Sequence, residues 1–165
     1  MISIFIVDDD PAQSSMLKDF LANSERNILI FNSGEDCLKN LDNNPDLIFL
    51  DYNFDMVGPK AMNGVDILQE IKKRNPAIDV VMLSSQDKIE VAMNTVKYGA
   101  FDYIVKGETA FHRADNAITN IMNRIEMKSN LTFYKRVAVS MSIAVVVTLV
   151  VVFAVYKMAK AGWFN

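Results

Sequence analysis

At 165 residues the chain is long enough for one packed domain and one short further element. A net charge of −3 gives no bulk basic character and points away from nucleic acid. The single cysteine, Cys37, excludes an internal disulfide and fits a reducing compartment, and Cys37 with His112 is too little for a four-ligand zinc site.

Met1 leads straight into strand-like sequence, so no N-terminal signal peptide is expected. The first strand, 2–7, contains Ile4-Phe5-Ile6-Val7 and runs into Asp8-Asp9. Asp10-Pro11 then opens a helix, with Asp as cap and Pro at the first helical position. Met16, Leu17, Phe20 and Leu21 supply its apolar stripe. A second strand covers 27–31. Ser33-Gly34-Glu35-Asp36 starts a second helix, whose apolar face is Cys37, Leu38 and Leu41. The third strand, 46–50, holds Leu47-Ile48-Phe49-Leu50 and ends in Asp51. Asn63 begins a third helix with Val65, Ile67, Leu68 and Ile71 inward. The strand at 78–83 ends in Ser84. The helix that follows, from about Asp87 to Tyr98, stops at Gly99 in a C′ position. The last strand, 101–105, ends in Lys106.

A fifth helix starts near Thr109, and Ala117, Ile118, Ile121, Met122 and Ile125 keep helical spacing. Apolar content continues less regularly through Met127, Leu131, Phe133 and Tyr134. With no Pro or Gly from Glu108 to Lys160, the spacing predicts one long helix, or a helix jointed near Lys128-Ser129-Asn130. It enters twenty residues without a charge, 137–156, bracketed by Lys135-Arg136 and Lys157. A helix of about 20 apolar residues spans a hydrocarbon layer of about 30 Å.

Strands alternating with helices predict an α/β domain, a doubly wound five-stranded parallel sheet of order 2-1-3-4-5. In such a sheet the strand ends converge on one edge. Asp8, Asp9, Asp51, Ser84 and Lys106 then share one pocket. Two carboxylates about 4 Å apart repel by about 4 kcal/mol at an effective dielectric of about 20, which a cation relieves. Asp8, Asp9 and Asp51 therefore read as a Mg²⁺ site. Lys106 is placed to orient and neutralise a phosphoryl oxygen. Taken singly, Ser84 is an ordinary turn serine and Lys106 a solvated lysine. Their convergence at separate strand ends makes them informative. Asp10 is explained by its cap alone.

The segments IFIVDDDP, LIFLD, VVMLSS and GAFDYIVKG, in this order, resemble the receiver domain of bacterial two-component response regulators over about residues 1–125. The resemblance implies that Asp51 is the phosphorylated carboxylate, taking its phosphoryl group from a cytoplasmic histidine kinase or phosphotransfer protein. It implies that Asp9 binds Mg²⁺ directly, that Asp8 assists, and that the backbone carbonyl of Asn53 is a further ligand. Ser84 and Lys106 meet the phosphoryl group. Tyr103 matches an aromatic switch position coupled to Ser84, while the side chains of Asn53 and Gln86 tune dephosphorylation. A receiver of this kind is a phosphoacceptor with slow self-dephosphorylation rather than an enzyme. Two departures stand out. Gly107 replaces the usual Pro after the lysine, which predicts a looser loop. The loop between Asp51 and Gly64 is longer than usual and is expected to shape partner choice or phosphate lifetime.

The expected organisation is a receiver domain over 1–127, a juxtamembrane helical linker over 128–136, a transmembrane helix over 137–156 and a short tail over 157–165. The resemblance implies a cytoplasmic kinase in a bacterium, and Arg124, Lys128, Lys135 and Arg136 before the span, against Lys157 and Lys160 after it, give a modest bias the same way; the expectation is a cytoplasmic receiver anchored in the inner membrane by a single pass. Ser142, Ala144 and Ala154 put small residues on the span without a GxxxG pair, so a homodimer through the span or the long helix stays open. No DNA-binding output domain is expected. The leading functional expectation is a membrane-anchored phosphorylation switch that acts through a changed protein-binding surface. A phosphate sink or relay for a kinase, and a non-phosphorylated membrane scaffold, are the alternatives.

Overall fold

The computed structural model describes residues 1–54, 62–86 and 89–160. They fall into two compact units, Met1–Met122 and Asn123–Asn165. The elements in chain order are β1 (Ile2–Val7), α1 (Pro11–Leu21), β2 (Arg26–Phe31), α2 (Gly34–Lys39), a 3-10 turn (Leu41–Asn43), β3 (Leu47–Asp51), α3 (Gly64–Arg74), β4 (Asp79–Ser84), α4 (Ile89–Lys97), β5 (Asp102–Val105) and α5 (Ala110–Lys160). The strands form one parallel sheet of order β2-β1-β3-β4-β5.

The near-continuous apolar runs follow from burial of both sheet faces. Successive side chains alternate between faces. Thus Ile4, Ile6, Phe49, Val81, Leu83 and Ile104 pack with Leu17 and Leu21 of α1 and Ala114, Ala117, Ile118 and Ile121 of α5. Phe5, Val7, Ile48, Leu50, Val80 and Met82 point the other way, onto Cys37 and Leu38 of α2 and Ile67, Leu68 and Ile71 of α3. Removing such a side chain, as in Ile67→Ala, typically costs 2–5 kcal/mol.

Side-chain caps fix where the helices start. Asp10 accepts from the backbone N–H groups of Ala12 and Gln13 at 2.9 and 3.2 Å. Ser33 accepts from Asp36 N–H at 3.2 Å. Asn63 accepts from Val65 and Asp66, both at 2.9 Å, and Asp66 accepts in return from Asn63 N–H at 3.3 Å, completing a capping box. After α4, Gly99 sits at φ +94, a left-handed conformation that glycine adopts without strain.

Several sequence expectations shift in detail. Only Leu17 and Leu21 of the α1 stripe are buried; Met16 and Phe20 face outward, because four residues in an i, i+1, i+4, i+5 pattern span more arc than this contact covers. Phe20 stacks instead on Phe111 and, edge-on, on His112, with ring centroids 5.6 and 5.1 Å apart. Leu41 is buried from the 3-10 turn rather than from α2. Val65 is half-buried and Ile125 exposed. The start of the fourth helix at Asp87 lies outside the described residues. Through Lys128 and Ser129, α5 continues unbroken as one helix.

Candidate functional site

The C-terminal strand ends bring the polar residues together because the parallel register aligns them. Val7 pairs with Leu50, Asp51 with Leu83, and Ser84 with Val105. The residue after each strand therefore emerges on one edge. Carboxylate oxygens of Asp8, Asp9 and Asp51 all lie within 4.8 Å of one another. Asp8 and Asp51 are buried, while Asp9 is half-exposed.

Lys106 locks this cluster. Its Nζ lies 2.8 Å from Asp8 Oδ2 and 3.1 Å from Asp51 Oδ2. The other oxygen of each acid accepts a backbone N–H, from Asp10 to Asp8 at 2.9 Å and from Asn53 to Asp51 at 3.3 Å. Each buried carboxylate is thus held at both ends in a fixed orientation. Lys106 is itself aimed by its backbone N–H, which donates to the Ser84 carbonyl at 2.7 Å.

The charges are strongly coupled. Burial pushes the Asp51 carboxyl above its ordinary range, and the Asp8 carboxylate pushes the same way against the opposing pull of Lys106. Burial works against the Lys106 ammonium, but the carboxylates of Asp8 and Asp51 outweigh it and hold the lysine above its usual value. Three carboxylates against one ammonium leave the group two formal charges negative. The donors are all hard oxygens, a set suited to Mg²⁺ rather than to a softer metal.

Ser84 is fully buried, and its Oγ accepts from Gln86 N–H at 3.0 Å, which leaves the hydroxyl proton free to donate. The Tyr103 ring is buried, and its hydroxyl donates to the Gln86 carbonyl at 2.6 Å. The segment from Ser84 to Gln86 is therefore pinned from both ends. Asn53, the remaining expected residue, stands exposed at the mouth. All eight expected residues thus lie at or beside one edge. Most of the long loop after Asp51 falls outside the described residues, so the expectation placed on it does too. Its exit is tied down where Met62 N–H donates to Glu35 at 3.2 Å. The loop at Gly107 closes through Ala110 N–H, which donates to the Gly107 carbonyl at 3.0 Å.

Three features escaped the sequence reading. Gly64 packs on the backbone that carries Asp51: a Cβ there would come within 2.8 Å of Tyr52 Cα and would strike the Asp51 carbonyl. Arg113 donates from α5 to the Tyr103 carbonyl at 3.0 Å and lies 3.6 Å from Asp102. A cavity of about 500 Å³ opens beside the cluster, lined by Asp8, Gln13, Met16, Lys106 and Phe111 among others.

Comparison with known proteins matches residues 4–115 to the response regulator receiver domain. The transcriptional regulatory protein MalR of Bacillus subtilis is 30% identical over 132 residues, covering 78% of this chain and 54% of MalR. The transcriptional regulatory protein ZraR of Escherichia coli K12 is 34% identical over 106 residues, covering 64% of this chain and 23% of ZraR. The chain therefore spans about half of one relative and about a quarter of the other. Among solved structures, a response regulator receiver domain protein from Clostridium thermocellum superposes with a TM-score of 0.65 at 30% identity, covering 77% of this chain and 98% of its own. A chain of the CheX–CheY–BeF3–Mg²⁺ complex of Borrelia burgdorferi shares the fold, with a TM-score of 0.62 at 24% identity over 73% of this chain and 89% of that one. On its matched residues and its five-stranded parallel topology, the chain belongs to the receiver-domain family of response regulators.

Proposed function

We propose that this protein is a membrane-anchored phosphorylation switch whose phosphoacceptor is Asp51. The observation that carries the reading is the Lys106 ammonium bonded to both Asp8 and Asp51, with Asp9 in the same cluster. A carboxylate oxygen of Asp51 attacks the phosphorus of a phosphohistidine on a histidine kinase or phosphotransfer protein. The N–P bond breaks, its electron pair stays on the imidazole, and the phosphoryl group leaves on Asp51. Lys106 neutralises charge on the transferred group, and the Ser84 hydroxyl donates to it. Asp9, Asp51 and the Asn53 carbonyl, assisted by Asp8, are the residues that would hold Mg²⁺, which supplies further neutralisation. The similar Borrelia structure is of a complex that contains BeF3 and Mg²⁺.

Phosphorylation draws the Ser84 hydroxyl toward the new group, which disturbs its bond from Gln86 N–H. The Gln86 carbonyl is also the Tyr103 acceptor, so the change reaches the aromatic ring and, through the Tyr103 carbonyl, Arg113 on α5. The altered surface around β5 and α5 is the signal. Asn53 and Gln86 set how fast water removes the phosphate.

The organisation we assign is a receiver to residue 127, a linker over 128–136, a span over 137–156 and a tail over 157–165. Among the described residues one helix is long and apolar enough to cross a membrane, and every side chain over 137–156 is exposed. Its serine and threonine hydroxyls are satisfied within the helix: Ser140 donates to Val137, Ser142 to Ala138 and Thr148 to Ala144, at 2.8–2.9 Å. That is what a hydrocarbon surround demands of polar groups. The greater basic charge before the span favours a cytoplasmic receiver at the bacterial inner membrane.

The test is intact-mass measurement of the full chain in detergent with acetyl phosphate and Mg²⁺. Wild type gains one phosphoryl group and Asp51→Ala gains none. A wild-type mass that never grows would sink the reading of the site, whereas complete extraction of the chain from bacterial membranes by alkaline carbonate would sink the anchor alone.

A further inference from the structure

The helix just before the apolar run carries a charge pattern that anchoring alone does not require. Between residues 123 and 136 the sequence holds Arg124, Lys128, Lys135 and Arg136 against one acid, Glu126. In the structure this stretch is continuous helix. At about 100° per residue, the four basic residues fall within an arc of about 120°, and Glu126 falls on the opposite side. Lys128, Lys135 and Arg136 are exposed. Over twelve steps of about 1.5 Å the basic stripe is about 18 Å long. Its lower end abuts Val137, the first residue of the uncharged run.

Aromatic residues sit in the same two turns. The Phe133 and Tyr134 rings are exposed and stack edge-on on one another at 6.0 Å. Lys128, Ser129, Phe133 and Arg136 line a shallow concavity of about 420 Å³ on this helix. Two cations, a hydroxyl and a ring edge around a small hollow match the chemistry of a phosphodiester with an acyl chain below it. The stripe starts at the hydrocarbon edge, with Lys135 and Arg136 in the first turn above it and Lys128 about two and a half turns up.

We infer that residues 124–136 form a binding site for anionic phospholipid headgroups. The inference rests on the proposed span at 137–156, which sets Lys135 and Arg136 at headgroup depth and leaves Lys128 just above it. Charge complementarity and continuity with the apolar run select a lipid over a soluble anion. Clustered basic residues immediately cytoplasmic of a span are drawn to anionic lipid, and the attraction is screened by salt. One-sidedness adds a further property. Anionic lipid gathers on one flank of the helix, so the bilayer around the anchor is asymmetric in composition.

The test uses the full chain reconstituted in phosphatidylcholine bilayers with trace spin-labelled phosphatidylglycerol or phosphatidylcholine. The motionally restricted fraction gives the relative association of the two lipids. Wild type should favour phosphatidylglycerol by about threefold or more at low salt, falling toward parity at high ionic strength. Lys128→Gln combined with Lys135→Gln and Arg136→Gln should bring the ratio close to one. Glu126→Gln, on the opposite side, should leave it unchanged. Carbonate resistance is measured on every sample. A wild-type ratio near one in carbonate-resistant samples would overturn the lipid site and leave the stripe to an acidic protein surface. A wild-type chain extracted by carbonate would overturn the span and the lipid site together.

Discussion

Replacing Lys106 with methionine should be one of the most damaging single changes in the receiver, although it removes only one charged group. The Lys106 side chain is 15% exposed and touches two carboxylates that are 3% and 5% exposed. At about 3 Å and an effective dielectric of about 20, each contact carries roughly 5 kcal/mol of Coulomb energy before desolvation is subtracted. Breaking a buried pair by removing one partner costs about 3–5 kcal/mol, and residual exposure puts this site near about 3. The readout is built into the chain, because Cys37 is its only cysteine and is fully buried. Pulse labelling of Cys37 with a thiol reagent across a urea series therefore reports receiver unfolding in the full chain. With a urea slope of about 2 kcal/mol/M, Lys106→Met should lower the midpoint by about 1.5 M. In an Asp51→Asn background the same change should cost at least about 1 kcal/mol less, since one of its two ion pairs is already gone. Mg²⁺ should recover part of the loss in Lys106→Met. A cost below about 1 kcal/mol, or no coupling to Asp51, would mean that the lysine is merely solvated.

Other outcomes follow from single contacts. Gly64→Ala forces a methyl against Tyr52 Cα and the Asp51 carbonyl, so it should cost about 1–3 kcal/mol and slow acetyl-phosphate labelling of Asp51, read by intact mass. Tyr103→Phe removes the hydroxyl that donates to the Gln86 carbonyl and should cost about 1 kcal/mol in urea midpoint while phosphorylation still occurs. Burial pushes the Cys37 thiol up from 9.0 to about 12. The unfolded thiol then loses its proton first, so the unfolded state binds fewer protons across that window. Stability should therefore be flat below pH 9 with respect to this group and fall by up to about 1.4 kcal/mol per unit above it. Near-UV ellipticity in urea between pH about 8 and about 10.5 checks this, and Cys37→Ala should lose that part of the slope.

What the sequence disclosed and what it concealed divide along a physical line. Strand positions were legible to within a residue because a sheet buried on both faces needs an unbroken apolar run, and such a run ends where the chain turns polar. The polar ends at Asp8, Asp51, Ser84 and Lys106 could then be placed on one edge by topology alone. Helix starts were legible at Asp10, Ser33 and Asn63 because capping is a local reaction of a side chain with the next turn. The misread residues were those whose burial depends on what lies opposite. Met16 and Phe20 share a stripe with Leu17 and Leu21, yet only the second pair meets the sheet. Contacts between distant segments left no local trace. Arg113 to the Tyr103 carbonyl, Glu35 to Met62 N–H and the approach of Gly64 to Tyr52 all depend on how the finished layers close.

The strand order also ranks the site's members by how readily their backbone opens. Asp8 and Asp51 follow or end β1 and β3, each flanked by a hydrogen-bonded neighbour on both sides. Lys106 follows β5, which lies at the rim with one neighbour. Fraying begins at rims, so amide exchange near Lys106 should outpace exchange in the two interior strands. The buried acids thus rise from the middle of the sheet while their shared cation is supplied from its rim.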